Sequence, residues 1–327
     1  MAMNEKQNTL ESLSVAVLAG GQSAERDVSL ASGQEVLRAL EAGGHRAELL
    51  DTFDGPLDAM PLERFDVCFV ALHGGYGEDG RLQSELERRA IPYTGSSPAA
   101  SRVAMSKSAS KERFFGSGVP TLPFFLYHVT DRIQQLADSV AQLGYPVVVK
   151  PDNQGSSLGV GLARDADELA TAVAASSRYG ADILAELHVS GREFTVAVLD
   201  RRPLPLLEII TPEPLFDYDA KYHSGDTIHQ FDPLLPPAKA AQLQHMAVAA
   251  AATLETRGLV RVDLLLDAAG CPWVLEVNTV PGMTRTSLAP KAAAQAGLDM
   301  TALCDWMLTD ALERHGCRAS GRVGMVL

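Results

Sequence analysis

A chain of 327 residues exceeds one small core and calls for two or three modules packed around a shared function. Hydrophobic residues at 46%, charged residues at 21% and aromatics at 6% describe an ordinary globular enzyme and exclude a disordered or fibrous chain. A net charge of −13, with the 28 Lys and Arg scattered, argues against a nucleic-acid partner, although a small anion can still bind where a few cations converge.

The four cysteines, Cys68, Cys271, Cys304 and Cys317, form no CxxC pair, so we expect reduced thiols, no zinc site and a cytoplasmic location. No stretch reaches the length of a membrane span, and residues 1–13 are polar, which predicts a frayed tail and no membrane partner.

In chain order, SVAVLA at 14–19 predicts a strand, Gly20-Gly21 a turn, and the spacing of Leu30, Leu37 and Leu40 a helix over 29–42. The same grammar recurs from Asp66, where DVCFVALHGGYGEDG precedes a helix through Leu82 and Leu86. Residues 14–104 therefore read as a Rossmann-like parallel α/β module, with Glu25 and His73 near the carboxyl ends of strands, where such modules bind ligands. From Met105 the chain turns helical and reaches VVVKPDNQGSSLGVGLA, a strand, a glycine-rich turn and a strand. A helix over 165–176 and two strand-like segments follow, which places module boundaries at 105–190 and 191–327. Residues 211–237 carry five prolines around FDYDAKYHSGDT and read as a lid loop with no regular element. An alanine-rich helix over 238–256, a hairpin over 259–278 and amphipathic helices to about Arg314 complete the chain.

The hairpin carries the densest chemistry. Pairing LVRVDLLLD with PWVLEVN sets Arg261 opposite Glu276 and Asp263 diagonal to it, with Asn278 on the same face. Val262, Leu264, Leu266, Trp273, Leu275 and Val277 would form the buried face. Two carboxylates and an amide are hard oxygen donors that suit magnesium. A plain surface salt bridge between Arg261 and Glu276 fits the same pattern. The Pro-Gly turn in NTVPGMTRTS sets backbone N–H groups just beyond. Lys150, at a strand end before Gln154-Gly155-Ser156-Ser157-Leu158-Gly159, suits nucleotide phosphates, though a simple hairpin turn has the same appearance. His73 reads equally as a site residue or a satisfied polar group, Glu25 as a first-turn helix charge, and Lys107 as a solvated lysine.

Taken together and in order, VAVLAGGQSAERDVSLASG, ALHGGYGEDGRLQ, IPYTGSSPAASRVAMSK, VVVKPDNQGSSLGV, DYDAKYHSGDT and RVDLLLDAAGCPWVLEVNTVPGMTRTSLAPK resemble the D-alanine–D-alanine ligases of the ATP-grasp superfamily. The resemblance implies an ATP-grasp fold, in which a Rossmann-like domain accompanies two α+β domains that sandwich ATP. It also implies ATP-dependent joining of two D-alanines through an acyl phosphate for peptidoglycan synthesis, and a homodimer. Carried over by motif, Lys107, Lys150, Ser156, Glu186 and Glu193 would contact ATP, and Asp263, Glu276 and Asn278 would hold two magnesium or manganese ions. Glu25, with Ser157 and Tyr222, would meet the ammonium of the first D-alanine, with His73 nearby. Arg261 and the Gly282 N–H would form the oxyanion site, and Lys221, Ser287 and Leu288 would serve the second D-alanine. Gln154 departs from the glutamate of many relatives, and IHQFDPLLPP departs at the lid's end, so acceptor preference stays open. A different acceptor, such as another amino acid or a D-hydroxyacid, is the alternative within the enzyme class. A catalytically silent nucleotide-binding protein on the same fold would lack a metal ligand or Arg261, and none is missing.

Overall fold

The computed structural model describes residues 12–156, 158–211 and 228–316. The chain divides into two compact units, one of residues 1–98 with 280–327 and one of residues 99–279.

In the first unit, β1 (Ser14–Ala19) is central in a three-stranded parallel sheet, between β2 (Arg46–Asp51) and β3 (Val67–Val70). A strand flanked on both sides and covered on both faces must be apolar throughout, which is why Val15, Ala16, Val17, Leu18 and Ala19 are all fully buried. Helix α1 (Arg26–Ala42) starts three residues before the predicted point, because Glu25 rather than a later residue takes the N-cap. Helix α2 (Arg81–Arg88) buries Leu82 and Leu86, as their spacing predicts.

The second unit holds two antiparallel sheets. Helices α3 (Pro98–Met105) and α4 (Lys107–Gly116) meet at Ser106, whose hydroxyl caps α4 by accepting the Ala109 N–H at 3.2 Å. The strands β4 (Phe124–His128), β5 (Val147–Pro151), β6 (Gly161–Ala163) and β7 (Asp182–Leu187) form one sheet in the order β4-β7-β5-β6. Helices α5 (Ile133–Leu143) and α6 (Ala166–Ser176) bury Leu136, Val140, Leu169 and Val173 in the same core as Val147 and Val149.

The second sheet runs β11-β10-β8-β12-β13, from β8 (Gly191–Leu199), β10 (Leu207–Ile210), β11 (Ile228–Phe231), β12 (Leu259–Asp267) and β13 (Pro272–Asn278), with the short β9 (Arg202–Pro203) on β8. Helix α7 (Pro237–Thr253) carries the alanine-rich run; its Leu243, Ala247 and Ala250 share a core with Phe194, Val196, Val262 and Leu264. Strand β11 corrects the expectation that 211–237 lacks regular structure. Ile228 to Phe231 pair with Leu207 to Ile210, and at this edge of the sheet the ladder satisfies the backbone groups that face β10 despite the neighbouring prolines. Residues 212–227 lie outside the described residues.

The expected C-terminal module 191–327 is divided. Residues 280–316 return to the first unit, where α8 (Leu288–Gln295) and α9 (Met300–Arg314) pack; Thr301 bonds the Ala39 carbonyl, and Asp305 lies 3.1 Å from His45. Among the described residues, no helix is long and apolar enough to cross a membrane.

Candidate active site

Within residues 99–279 a cavity of about 500 Å³ opens beside the carboxylate-bearing hairpin. Its shape follows from a β-bulge. Val262 pairs with Val277 and Asp263 with Glu276, but Leu264 pairs with Val274, so β13 holds one extra residue, Leu275. The bulge lets Val277 and Val274 both join the core, while Leu275 and Glu276 both line the cavity. The predicted register is corrected accordingly: Arg261 stands opposite Asn278, not Glu276, and Trp273 and Leu275 leave the buried face. Trp273 instead donates its indole N–H to Asp267 at 3.0 Å.

Asp263 gathers the polar end of the hairpin. Arg261 donates to both its oxygens, Nε to Oδ1 at 2.9 Å and Nη2 to Oδ2 at 2.8 Å. Thr195 donates to Oδ1 at 2.7 Å and the Asn278 amide to Oδ2 at 3.3 Å. Glu276 has Lys107 Nζ at 3.8 Å. Four of the positions singled out from sequence are thus brought together on one face, with Lys107 beside them.

Lys107 is the first residue of α4, and Asp152, buried just after β5, fixes that helix end. Asp152 accepts from Ser106 Oγ at 2.7 Å and from the Ser108 N–H at 2.6 Å, and its carbonyl accepts the Lys107 N–H at 3.1 Å. Lys107 Nζ then donates to the Gln154 carbonyl at 2.6 Å, so Gln154 enters this contact through its backbone. Lys150 reaches Glu186 Oε1 at 3.2 Å, and the fully buried Lys111 pairs with Glu186 Oε2. Burial alone would push the Glu186 carboxyl up, but the charges of Lys111 and Lys150 outweigh it and hold the group below its ordinary value. Burial pushes the Lys111 ammonium down. Lys111 also donates to Thr121 Oγ1 at 2.7 Å, which donates in turn to the Val274 carbonyl at 2.9 Å. Glu193 on β8 lines the cavity with Lys150 and Glu186, while Val148, Leu162 and Leu265 supply apolar wall. Sequence reading missed Lys111 and Asp152; Lys111 lies one helical turn from Lys107, and that spacing was its only signal.

In the first unit, Glu25 is nearly buried at the N-cap of α1. Gly74 adopts φ 69° and ψ 161°, a region nearly reserved for glycine, and a Cβ there would lie 2.4 Å from Glu25 Oε2. The carboxylate therefore fits against a bare backbone. His73 is buried, with Nε2 2.9 Å from Ser32 Oγ and Nδ1 3.1 Å from the Val280 carbonyl. Gly282 sits in a loop closed by Ser287, whose Oγ accepts the Thr284 N–H at 3.1 Å, and Ser287 is the N-cap of α8 with Leu288 next. Ser156 is buried at the glycine turn after β5. Ser157, Lys221 and Tyr222 lie outside the described residues.

This arrangement has recognisable relatives. Residues 51–96 match the family model of the D-ala D-ala ligase N-terminus and residues 115–309 that of the D-ala D-ala ligase C-terminus. The chain is 43% identical to a D-alanine–D-alanine ligase of a Synechococcus species, over 95% of this chain and 98% of that one. It is 44% identical to the enzyme of the same name from Stutzerimonas stutzeri, over 96% and 99%. A crystal structure of the Bacillus anthracis D-alanine–D-alanine ligase complexed with ATP superposes with a TM-score of 0.83 at 29% identity, covering 93% of this chain and 99% of that one. The mixed architecture of one parallel and two antiparallel sheets is the ATP-grasp fold of those structures. By sequence and by fold, the chain belongs to the D-alanine–D-alanine ligase family.

Proposed function

We propose that this protein joins two D-alanine molecules at the expense of ATP, releasing ADP and phosphate and supplying D-alanyl-D-alanine for peptidoglycan. The observation that carries the reading is the cavity that combines Lys107 and Lys150, an apolar wall and the paired carboxylates Asp263 and Glu276. The lysines suit the phosphates, and Val148, Leu162 and Leu265 suit the base.

The donor set at the hairpin fits magnesium. Asp263 and Glu276 face each other across the ladder with Asn278 on the same face, and Arg261 and Lys107 beside them offset part of the carboxylate charge. Magnesium bound there would offset charge on the transferring phosphoryl oxygens.

The chain's own groups then divide the work. Lys107 and Lys150 bind and orient the γ-phosphoryl group, so that a carboxylate oxygen of the first D-alanine attacks phosphorus and ADP departs. Glu25 takes that D-alanine's ammonium as its counter-ion. The amine of the second D-alanine attacks the acyl carbon, the carbon–oxygen bond to phosphate breaks, and the nitrogen loses a proton. Arg261 and the Gly282 N–H receive the negative charge that develops on the carbonyl oxygen; one such donor is typically worth about 3 kcal/mol of barrier. The second D-alanine falls to Ser287, Leu288 and Lys221, and Ser157 with Tyr222 closes the first subsite. We place the enzyme in the cytoplasm, where ATP is supplied, as a homodimer that sedimentation would test.

The test is phosphate release from ATP and magnesium, with product identification, offered D-alanine, L-alanine, D-serine and D-lactate in turn. D-alanyl-D-alanine should predominate. No release with D-alanine, or a D-lactate ester as main product, would overturn the proposal.

A further inference from the structure

Ser32 lies on α1, fully buried, and takes part in none of the roles above. Its hydroxyl is 2.9 Å from His73 Nε2 and also accepts the Met283 N–H at 3.1 Å. The other ring nitrogen, His73 Nδ1, is 3.1 Å from the Val280 carbonyl. With the imidazole neutral, these contacts assign its tautomer. A carbonyl only accepts, so Nδ1 carries the hydrogen, Nε2 accepts from the Ser32 hydroxyl, and the hydroxyl oxygen keeps a lone pair for Met283. The bonds from Met283 N–H through Ser32 and His73 to the Val280 carbonyl then link the two sides of the loop.

Its two ends bracket Pro281-Gly282. Pro281 and Met283 are buried, Gly282 is half-exposed, and among the described residues the Gly282 N–H makes no hydrogen bond. A backbone donor left open between two tied neighbours is preorganised for an incoming oxygen, since nothing must be broken before it can act. Proline at 281 further restricts the segment.

We infer that Ser32, acting through His73 and Met283, is a positioning residue that holds the Gly282 N–H on the oxyanion. This rests on the ligase reading above. It also moves His73 from substrate contact to support of the loop.

Ser32→Ala deletes one oxygen atom and both of its bonds. Removing an oxyanion donor outright typically costs about 10²- to 10³-fold, so loosening one should lower kcat roughly 10- to 100-fold. The KM for ATP should stay within about twofold, and affinity for a dipeptide phosphinate, a tetrahedral mimic, should fall by the same factor as kcat/KM. Amide hydrogen exchange at Met283 should accelerate. Ser32→Thr, which keeps the hydroxyl, should recover most of the loss. Unchanged turnover and exchange in Ser32→Ala would overturn the inference. So would a parallel fall of kcat, ATP affinity and melting temperature, a loss that Ser32→Thr shares, or intact phosphinate affinity. A wild-type protein that makes no dipeptide defeats the ligase reading instead, and the exchange rate at Met283 still decides whether Ser32 holds the loop.

Discussion

Lys111→Met tests the buried charge cluster behind the nucleotide cavity. In the wild type one carboxylate, Glu186, sits between two ammonium groups, Lys111 on Oε2 and Lys150 at 3.2 Å from Oε1; Lys111 is fully buried and Glu186 nearly so. Removing one member of a buried pair typically costs about 3–5 kcal/mol, because the remaining charge loses its partner without regaining water. Lys150 stays, so we expect the lower end, about 3 kcal/mol, which for units of this size is a fall of roughly 6–12 °C in Tm. The function should change too. Lys150 becomes the sole counter-ion of Glu186 and is less available to phosphate, so the KM for ATP should rise more than kcat falls. The sign with pH follows from the carboxylate. Without Lys111, burial raises Glu186, and a carboxyl raised on folding weakens the fold as pH climbs above its unfolded value. The deficit of the mutant should therefore narrow as pH is lowered toward the carboxylate range. The assay is thermal and urea melting of wild type, Lys111→Met, Glu186→Gln and the double variant, read as a cycle. A single-variant loss below about 1 kcal/mol, or a double variant no more stable than the additive sum, would refute the coupling.

Glu276→Gln should melt like the wild type yet nearly lose turnover and need more magnesium; near-normal activity at ordinary magnesium would refute its role as a metal ligand. Gly74→Ala places a Cβ at φ 69° and 2.4 Å from Glu25 Oε2, so the KM for D-alanine should rise with that for ATP unchanged, alongside a loss of about 1–3 kcal/mol; titration kinetics of each substrate decide it. Asp51 is held at about 2, from an ordinary 3.8, chiefly by hydrogen bonds from Arg26, one of them 2.9 Å. A carboxyl lowered on folding stabilises above its unfolded value and loses that effect as pH falls through the folded one. Wild type should thus lose about 1 kcal/mol between roughly pH 4 and 2, the nominal shift being reduced because Arg26 is partly solvated, and Asp51→Asn should lack that acid limb in melting curves.

How much of this was legible depended on whether local pattern or long-range packing decided it. The apolar run of β1 and the two strands of the hairpin are local, and they form where their periodicity places them. The hairpin register was misread because alternation assumes one residue per partner, and nothing in PWVLEVN announces that Leu275 is extra. Strand β11 was hidden among prolines, since its pairing with β10 is set by residues about twenty positions away. The return of residues 280–316 to the first unit is likewise invisible to any window of sequence. Lys111 was not singled out, because its partner Glu186 lies 75 positions later in the chain.

The distribution of charge explains how a chain of net −13 can suit a polyanionic nucleotide. At the cavity, Lys107 and Lys150 are each committed in part to a carboxylate, Glu276 and Glu186, and Arg261 is committed to Asp263. Each of these three cations has an anion beside it, and the pairs hold the side chains in place. A triphosphate entering among them brings several uncompensated charges. The lysines can turn toward it only as their carboxylates find other positive partners. Glu186 already has one in Lys111, which explains why a fully buried lysine stands behind it. Asp263 and Glu276 lie beside Arg261 and Lys107, and a divalent ion arriving with the phosphates would add positive charge where both carboxylates and phosphates can use it. On this argument the two halves of the cavity differ in kind. In the Glu186 half two lysines of the protein hold the carboxylate, and under the proposed reading the hairpin half would be completed by what the nucleotide brings with it.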